Sequence, residues 1–435
     1  MALGAVGVLL ISVVFGGASR DNALRLTIVE LCALPLLVLA LWRLILRGRA
    51  GAHRLSLSLL GFALALPLLQ LIPLPPSIWQ TFPGRESLVL ALRLADVPSP
   101  WAPLSLTPEA TWGNFLALLA PAAVFLACLD LDPPRQRMIA AVIVGATLLS
   151  ILVGILQLAA GGHERFYPYD VSTFGSAVGF FANRNHLATL ILVAIPFSAV
   201  LGSVGGSRGA SPWMKAALPA AFVLVGIAAL AVVRSRAGIL LAAPALSAAL
   251  LAYGANQGAG RRWLGLALIG AVIASALLAV VLFQLQPLID RFVADPQSGG
   301  RFEFWREIWT GSWAFQPAGS GLGSFETVYR AMERPETMQE TYLNRAHNDY
   351  LELWLETGWL GPAGVGGFLW WWGSRLIGRI QHSGSAISLA AAAGILIVLL
   401  HSGFDYPLRT ESILCLFAAC CGLLEQPQGR NSSAV

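Results

Sequence analysis

Apolar runs near 2–18, 24–46, 55–75, 113–129, 138–160, 187–204, 216–233, 237–254, 263–285, 358–377, 386–404 and 410–424 follow one another along this chain. Most approach the roughly 20 residues that an α-helix needs to cross a bilayer core, which predicts an all-α, polytopic integral membrane protein with about 12 transmembrane helices. Hydrophobic residues make up 56% of the 435 residues and charged residues only 12%, with a mean hydropathy of +0.69. That is more apolar surface than a soluble domain can bury. The first residues, MALGAVGVLLISVVFGGAS, lack a basic leader and an obvious cleavage site, so they read as a first span and not as a removed signal. The five cysteines lie inside apolar runs without CxxC spacing, as small core residues do.

A sequence pI near 9.2 does not point to nucleic acid, because the basic residues are scattered through short connectors. They report orientation instead. With a cytoplasmic N-terminus, the inward connectors carry Arg47, Arg49 and Arg54; Arg135 and Arg137; Arg208 and Lys215; Arg261 and Arg262; and Arg375 and Arg379. The same topology puts polar segments near 76–112, 161–186 and 286–357 outside. The chain thus divides into helices and loops over 1–285, a periplasmic helical loop over 286–357, further spans over 358–424 and a cytoplasmic tail over 425–435. Within the large loop, Phe302, Trp305, Ile308 and Trp309 recur at helical spacing and predict an amphipathic interfacial helix. The segment QPAGSGLGSFETVYR behind it predicts a glycine-rich turn before another short helix.

RAHNDYLELWLETG, Arg345 to Gly358, stands where that loop gives way to a membrane-length run. It puts His347 and Asn348 at a helix start. Asp349, Glu352 and Glu356 then recur every three or four residues, predicting one acidic stripe facing water on an otherwise buried helix. A histidine at a helix N-terminus has its cationic form disfavoured by the helix dipole, which suits a proton acceptor.

Arginines on the outer side need partners, because a charge toward the bilayer centre costs about 2.5–3.5 kcal/mol on insertion scales. In VVRSRAG, Arg234 has the bland alternative of snorkelling to lipid phosphates, whereas Arg236, between Ser235 and a small Ala-Gly step, is better placed for a packed site. FFANRNHLATLI masses Asn183, Arg184, Asn185 and His186 before a span, with helix capping the simpler role for Asn185. Arg301 follows two glycines, where a ligand can approach the backbone. In LLHSGFDYPLR, His401 and Asp405 stand four apart and, on spacing alone, satisfy each other. Arginine's planar fork suits phosphate oxygens, so several outer arginines with one histidine describe a site for a lipid-linked diphosphate. No carboxylate cluster with metal-ligand spacing accompanies them, which predicts a site without metal and without cofactor.

FANRNHLA, SRAG, GGRFEFW with GSGLGSF, RAHNDYLELWLETGWLG and HSGFDYPLR, in that order, resemble the O-antigen ligase and polymerase superfamily of bacterial inner-membrane glycosyltransferases. PLSLTPEATW, Pro103 to Trp112, looks like the segment before the fourth span in exopolysaccharide members. The resemblance implies a GT-C-like fold and metal-free, inverting transfer of a glycan from undecaprenyl diphosphate to a sugar hydroxyl on the periplasmic face. It implies His347 as base and Arg236, Arg301 and Arg184 as diphosphate ligands. Arg234, Asn348, Glu356, His401 and Asp405 fill supporting roles. The acceptor is lipid A core for a ligase or a second lipid-linked repeat unit for a polymerase, and the first-loop and C-terminal motifs lean toward the polymerase. A transporter or flippase for the same lipid carrier is the alternative, set against the single large outer loop and the absence of inverted repeats.

Overall fold

The computed structural model describes residues 1–19, 22–204, 212–255, 296–335, 338, 343–381 and 385–425. Its α-helices, in chain order, are α1 Ala2–Phe15, α2 Ala23–Leu46, α3 Arg54–Gln70, α4 Pro76–Trp79, α5 Glu86–Leu94, α6 Pro108–Ala117, α7 Leu119–Cys128, α8 Pro133–Ala159 and α9 Arg184–Val204. They continue with α10 Pro212–Val233, α11 Arg236–Ala255, α12 Pro296–Ser312, α13 Phe325–Met332, α14 Asp349–Thr357, α15 Leu360–Gln381, α16 Ala386–Ser402 and α17 Glu411–Leu424. The strands of the described residues, β1 Pro73–Leu74 and β2 Ala102–Pro103, form one antiparallel pair in the first polar segment.

Seven helical stretches among the described residues are long and apolar enough to cross a membrane: Ala23–Leu46, Ala50–Gln70, Pro108–Cys128, Pro133–Ala159, Arg184–Ser203, Ala216–Val233 and Arg236–Ala255. Ala2–Phe15, Ala386–Ser402 and Glu411–Leu424 are shorter apolar helices. The apolar run at 263–285 lies outside the described residues, as do Arg208, Arg261, Arg262 and most of the tail. Helices of this kind satisfy their backbone internally, which a bilayer demands.

α9 is the central helix, with 94% of its membrane-length window buried. α8, α10, α11 and α16 pack around it. The approach of α11 is close because Gly238 has no side chain: a Cβ there would stand 2.9 Å from that of Ala188 on α9. Their first turns therefore meet at one end of the bundle.

The acidic stripe on α14 departs from expectation. Asp349, Glu352 and Glu356 are all buried. They face inward because Arg409, downstream of α16, enters among them: its Nη2 stands 2.8 Å from Glu356 Oε2 and its Nε 3.5 Å from Glu352 Oε1. Arg345 adds a second cation, donating from Nη1 to Glu352 Oε1 at 2.8 Å. A stripe of carboxylates is buried at tolerable cost only when cations and N–H donors meet it, as they do here.

α14 also does not run on into the following span. Gly358 breaks it with a φ of 57° and a Cβ position only 2.0 Å from the Pro317 carbonyl oxygen, so the glycine-rich turn passes directly beneath the break. That turn is tied to the first polar segment by Gln70, whose side chain donates to the Glu356 carbonyl and accepts from the Leu322 amide, both at 2.9 Å. Thr111 reaches the Leu322 carbonyl at 2.7 Å, so the PLSLTPEATW segment forms part of the same platform.

Candidate active site

Asn348 caps α14, its Oδ1 accepting from the Tyr350 and Leu351 amides, while its Nδ2 donates to the Gly403 carbonyl at 3.1 Å. The cap therefore ties the start of α14 to the turn after α16. Immediately before it, His347 has a left-handed backbone (φ 49°), uncommon for a residue with a side chain. The preceding residues hold that turn: Glu352 accepts from the Ala346 amide at 3.0 Å, and Trp305 on α12 donates to the Ala346 carbonyl at 2.9 Å.

The turn aims His347 Nδ1 at Asp405 Oδ1, 3.1 Å away. Asp405 is fully buried, and its second oxygen accepts from Asn185 at 2.6 Å and Asn183 at 3.3 Å. Burial alone would push this carboxyl up; the hydrogen bond from His347 and the positive potential of His347, His186 and His401 outweigh it and hold Asp405 well below the usual carboxylate range. A carboxylate facing Nδ1 assigns the ring proton to that nitrogen and leaves Nε2 as acceptor. The ring lies edge-on to Tyr406, 4.9 Å between centroids, and burial lifts the Tyr406 phenol to about 12.

The His347 side chain, 24% exposed, opens into a polar cavity of about 640 Å³. Asn183, Arg184, Asn185, Arg345 and Tyr406 share its wall. Arg184 begins α9, with Nη1 at 3.5 Å from Ser176 Oγ, the outer limit of a hydrogen bond. Asn183 Oδ1 caps that helix by accepting from the Asn185 amide at 2.9 Å. Capping, expected of Asn185, is thus done by Asn183, and Asn185 holds Asp405.

Arg236 begins α11, at the end where α11 meets α9, is half-buried and does not line this cavity. Arg234 is exposed. The backbone of Arg301 lies on α12, and its side chain is outside what the structure describes. Glu356 is built into the platform, its Oε1 accepting from the Gly323 amide at 2.9 Å and its Oε2 facing Arg409. His401 is not the side-chain partner of Asp405: its Nδ1 lies 2.8 Å from Thr189 Oγ1, inside the bundle. Helical spacing of four suggested the pair, but α16 ends at Ser402, and the turn that follows swings Asp405 toward His347.

The partnership of His347 with Asp405, and the places of Arg345 and Tyr406 in the wall, are what sequence reasoning missed. FANRNHLA, RAHNDY and HSGFDY each carried the signal, but the contacts join segments 58 to 222 residues apart.

No curated protein matches the chain. Residues 220–366 match the family model described as O-antigen ligase, a stretch that contains Arg234, Arg236, Arg301 and His347. That match covers about a third of the chain and is consistent with the O-antigen ligase and polymerase superfamily that the motifs resemble.

Proposed function

We propose that this protein is a metal-independent, inverting glycosyltransferase that moves a glycan from undecaprenyl diphosphate to a sugar hydroxyl on the periplasmic side of the bacterial inner membrane. The observation that carries the reading is the pair of His347 and Asp405 opening into a polar cavity beside Arg184 and Arg345. The acceptor hydroxyl loses its proton to His347 Nε2 as its oxygen attacks the anomeric carbon. The bond from that carbon to the diphosphate breaks on the opposite face, which inverts the centre. Asp405 stabilises the imidazolium as it forms, and arginine guanidiniums balance the charge on the departing diphosphate. Arg184 is on the wall for this role; Arg236 and Arg301 are assigned to it through the resemblance.

The proposed orientation has support in where the charges sit. Asn22 lines the His347 cavity at one end of α2, and Arg43 and Arg47 stand at the other; Arg49, Arg54, Arg135, Arg137, Arg375 and Arg379 begin or end helices on that far side. The positive-inside rule makes that side cytoplasmic and the cavity periplasmic. About 12 spans, with the loop over 286–357 outside, remain the topology we assign.

We assign the polymerase on the first-loop and C-terminal motifs, together with an apolar path beside the site. Two adjoining apolar cavities, about 340 and 190 Å³, share Leu59, Ala63, Leu118, Phe368, Leu414 and Phe417 and follow α3 from Ser56 to Leu66. Arg345 lines both the upper of these and the polar cavity. An apolar groove with its mouth at the reaction site suits an acceptor that is itself carried on lipid. The test is the product made by purified protein from a lipid-linked repeat unit: chains of several repeats without lipid A core support polymerisation, and transfer only with core present establishes the ligase.

A further inference from the structure

At the end of the bundle away from His347, a separate cavity of about 340 Å³ opens between the start of α1, the end of α2 and the turn joining α7 to α8. Arg43 and Arg135 line it together with Asp130, and Leu3, Leu131 and Met138 supply apolar wall. We propose that this cavity binds the phosphate of an anionic phospholipid in the leaflet on that side.

The charge balance points there. Asp130 already has Arg49 at 3.0 Å and His53 at 3.6 Å, so its charge is shared before any ligand arrives. Arg135 pairs with Asp132 at 3.0 Å on a surface where both side chains are about half exposed, a contact of little worth in water. Arg43 has no carboxylate within ion-pair distance among the described residues; Arg47 and Arg135 repel it, and the more distant Asp130 attracts it only in part. A phosphate in the cavity relieves that repulsion. The surroundings favour a lipid as its bearer: Leu3 is 78% exposed, and Leu39, Trp42, Ile45 and Leu46 on α2 are also exposed, so Arg43 stands on a helix whose apolar surface suits acyl chains. Basic pockets between membrane helices recognise lipid headgroups on these terms. The site is independent of the glycan chemistry.

The full chain is reconstituted in nanodiscs of equal phosphatidylglycerol and phosphatidylcholine, and retained lipid is counted by native mass spectrometry. Wild type is expected to keep phosphatidylglycerol in preference to phosphatidylcholine. Arg43→Gln with Arg135→Gln should lower that retention roughly tenfold or more, and Arg43→Lys with Arg135→Lys should restore most of it. Thermal melts of each variant report folding separately. Equal retention of the two lipids by wild type, or unchanged phosphatidylglycerol on the folded glutamine variant, overturns the proposal. Displacement of the lipid by millimolar inorganic phosphate assigns the site to free phosphate and overturns it as well.

Discussion

Asp405 is worth most to His347 when it is charged, and the hydrogen bonds from His347 and two asparagines keep it so against the cost of burial. Replacing it by asparagine leaves the size of the group but removes the charge that stabilises an imidazolium and, with the remaining oxygen held by Asn183 and Asn185, turns an N–H toward His347 in place of the acceptor that selects the Nδ1–H tautomer. Asp405→Asn is therefore expected to lower the transfer rate by about 10²–10⁴ with donor affinity near wild type, measured as kcat against the dissociation constant of the lipid-linked donor. Because its folded carboxyl is lowered, Asp405 adds stability that is complete above the unfolded value near 4 and is lost as pH falls toward the folded one. The arginines should separate by geometry. Lysine keeps charge but loses the planar fork, so Arg236→Lys and Arg301→Lys are expected to weaken diphosphate binding strongly, whereas exposed Arg234→Lys should be mild. Equal diphosphate affinity in all three would remove these arginines from the donor site. The residue types were legible in the sequence, since histidine, arginine and asparagine crowd into three motifs. Their pairing was not, because a single chain shows no contact between His347 and a residue 58 positions away.

α14 shows how an element's pattern fixes a face without naming what meets it. The three-and-four spacing of Asp349, Glu352 and Glu356 predicts one stripe, and one stripe forms, but it meets Arg409, brought in by the turn after α16, and not water. The three carboxyls differ accordingly. Burial pushes Asp349 up to about 7 against the opposing pull of Arg409, while Arg409 and Arg345 overcome burial to lower Glu352. A raised carboxyl binds its proton more tightly folded than unfolded, so Asp349 costs stability progressively as pH rises from about 4 to about 7. Asp349→Asn, whose oxygen can still accept from Ser402 and the Leu408 amide, should gain in Tm relative to wild type across that window. Glu352→Gln removes the carboxylate partner of Arg345 and one of the partners of Arg409, and is expected to cost about 3–5 kcal/mol in denaturation of the detergent-solubilised protein. A Tm difference that does not change with pH for Asp349→Asn would refute this division of charge. The glycine-rich turn was also legible, but its purpose only appears with Gly319, where φ is 81° and a Cβ would sit 2.5 Å from the Glu356 carbonyl oxygen. Gly319→Ala should disturb the platform under α14 and with it the aim of His347.

At the scale of the molecule, alternating apolar runs and basic connectors suffice to read an all-α membrane protein, since hydropathy and arginine placement are local properties of the chain. Packing order is not local: nothing in the sequence marks α9 as central, and that position is what brings Arg184 to the cavity wall and Asn185 to Asp405. Orientation is checked at Met338, which is exposed in the large loop. In a Cys32→Ser background, which removes the exposed cysteine, Met338→Cys should react with an impermeant thiol reagent in intact spheroplasts. Labelling only after permeabilisation would put the loop on the wrong side for the proposed donor. The most direct test is initial-rate glycan transfer by purified wild-type and His347→Ala protein from an undecaprenyl diphosphate-linked unit in excess EDTA, with donor binding measured alongside. The pair of His347 and Asp405 predicts full wild-type activity in EDTA and a fall of about 10²–10⁴ in the variant at nearly unchanged donor affinity; a wild-type rate in His347→Ala, or a wild-type enzyme silenced by EDTA, would contradict it.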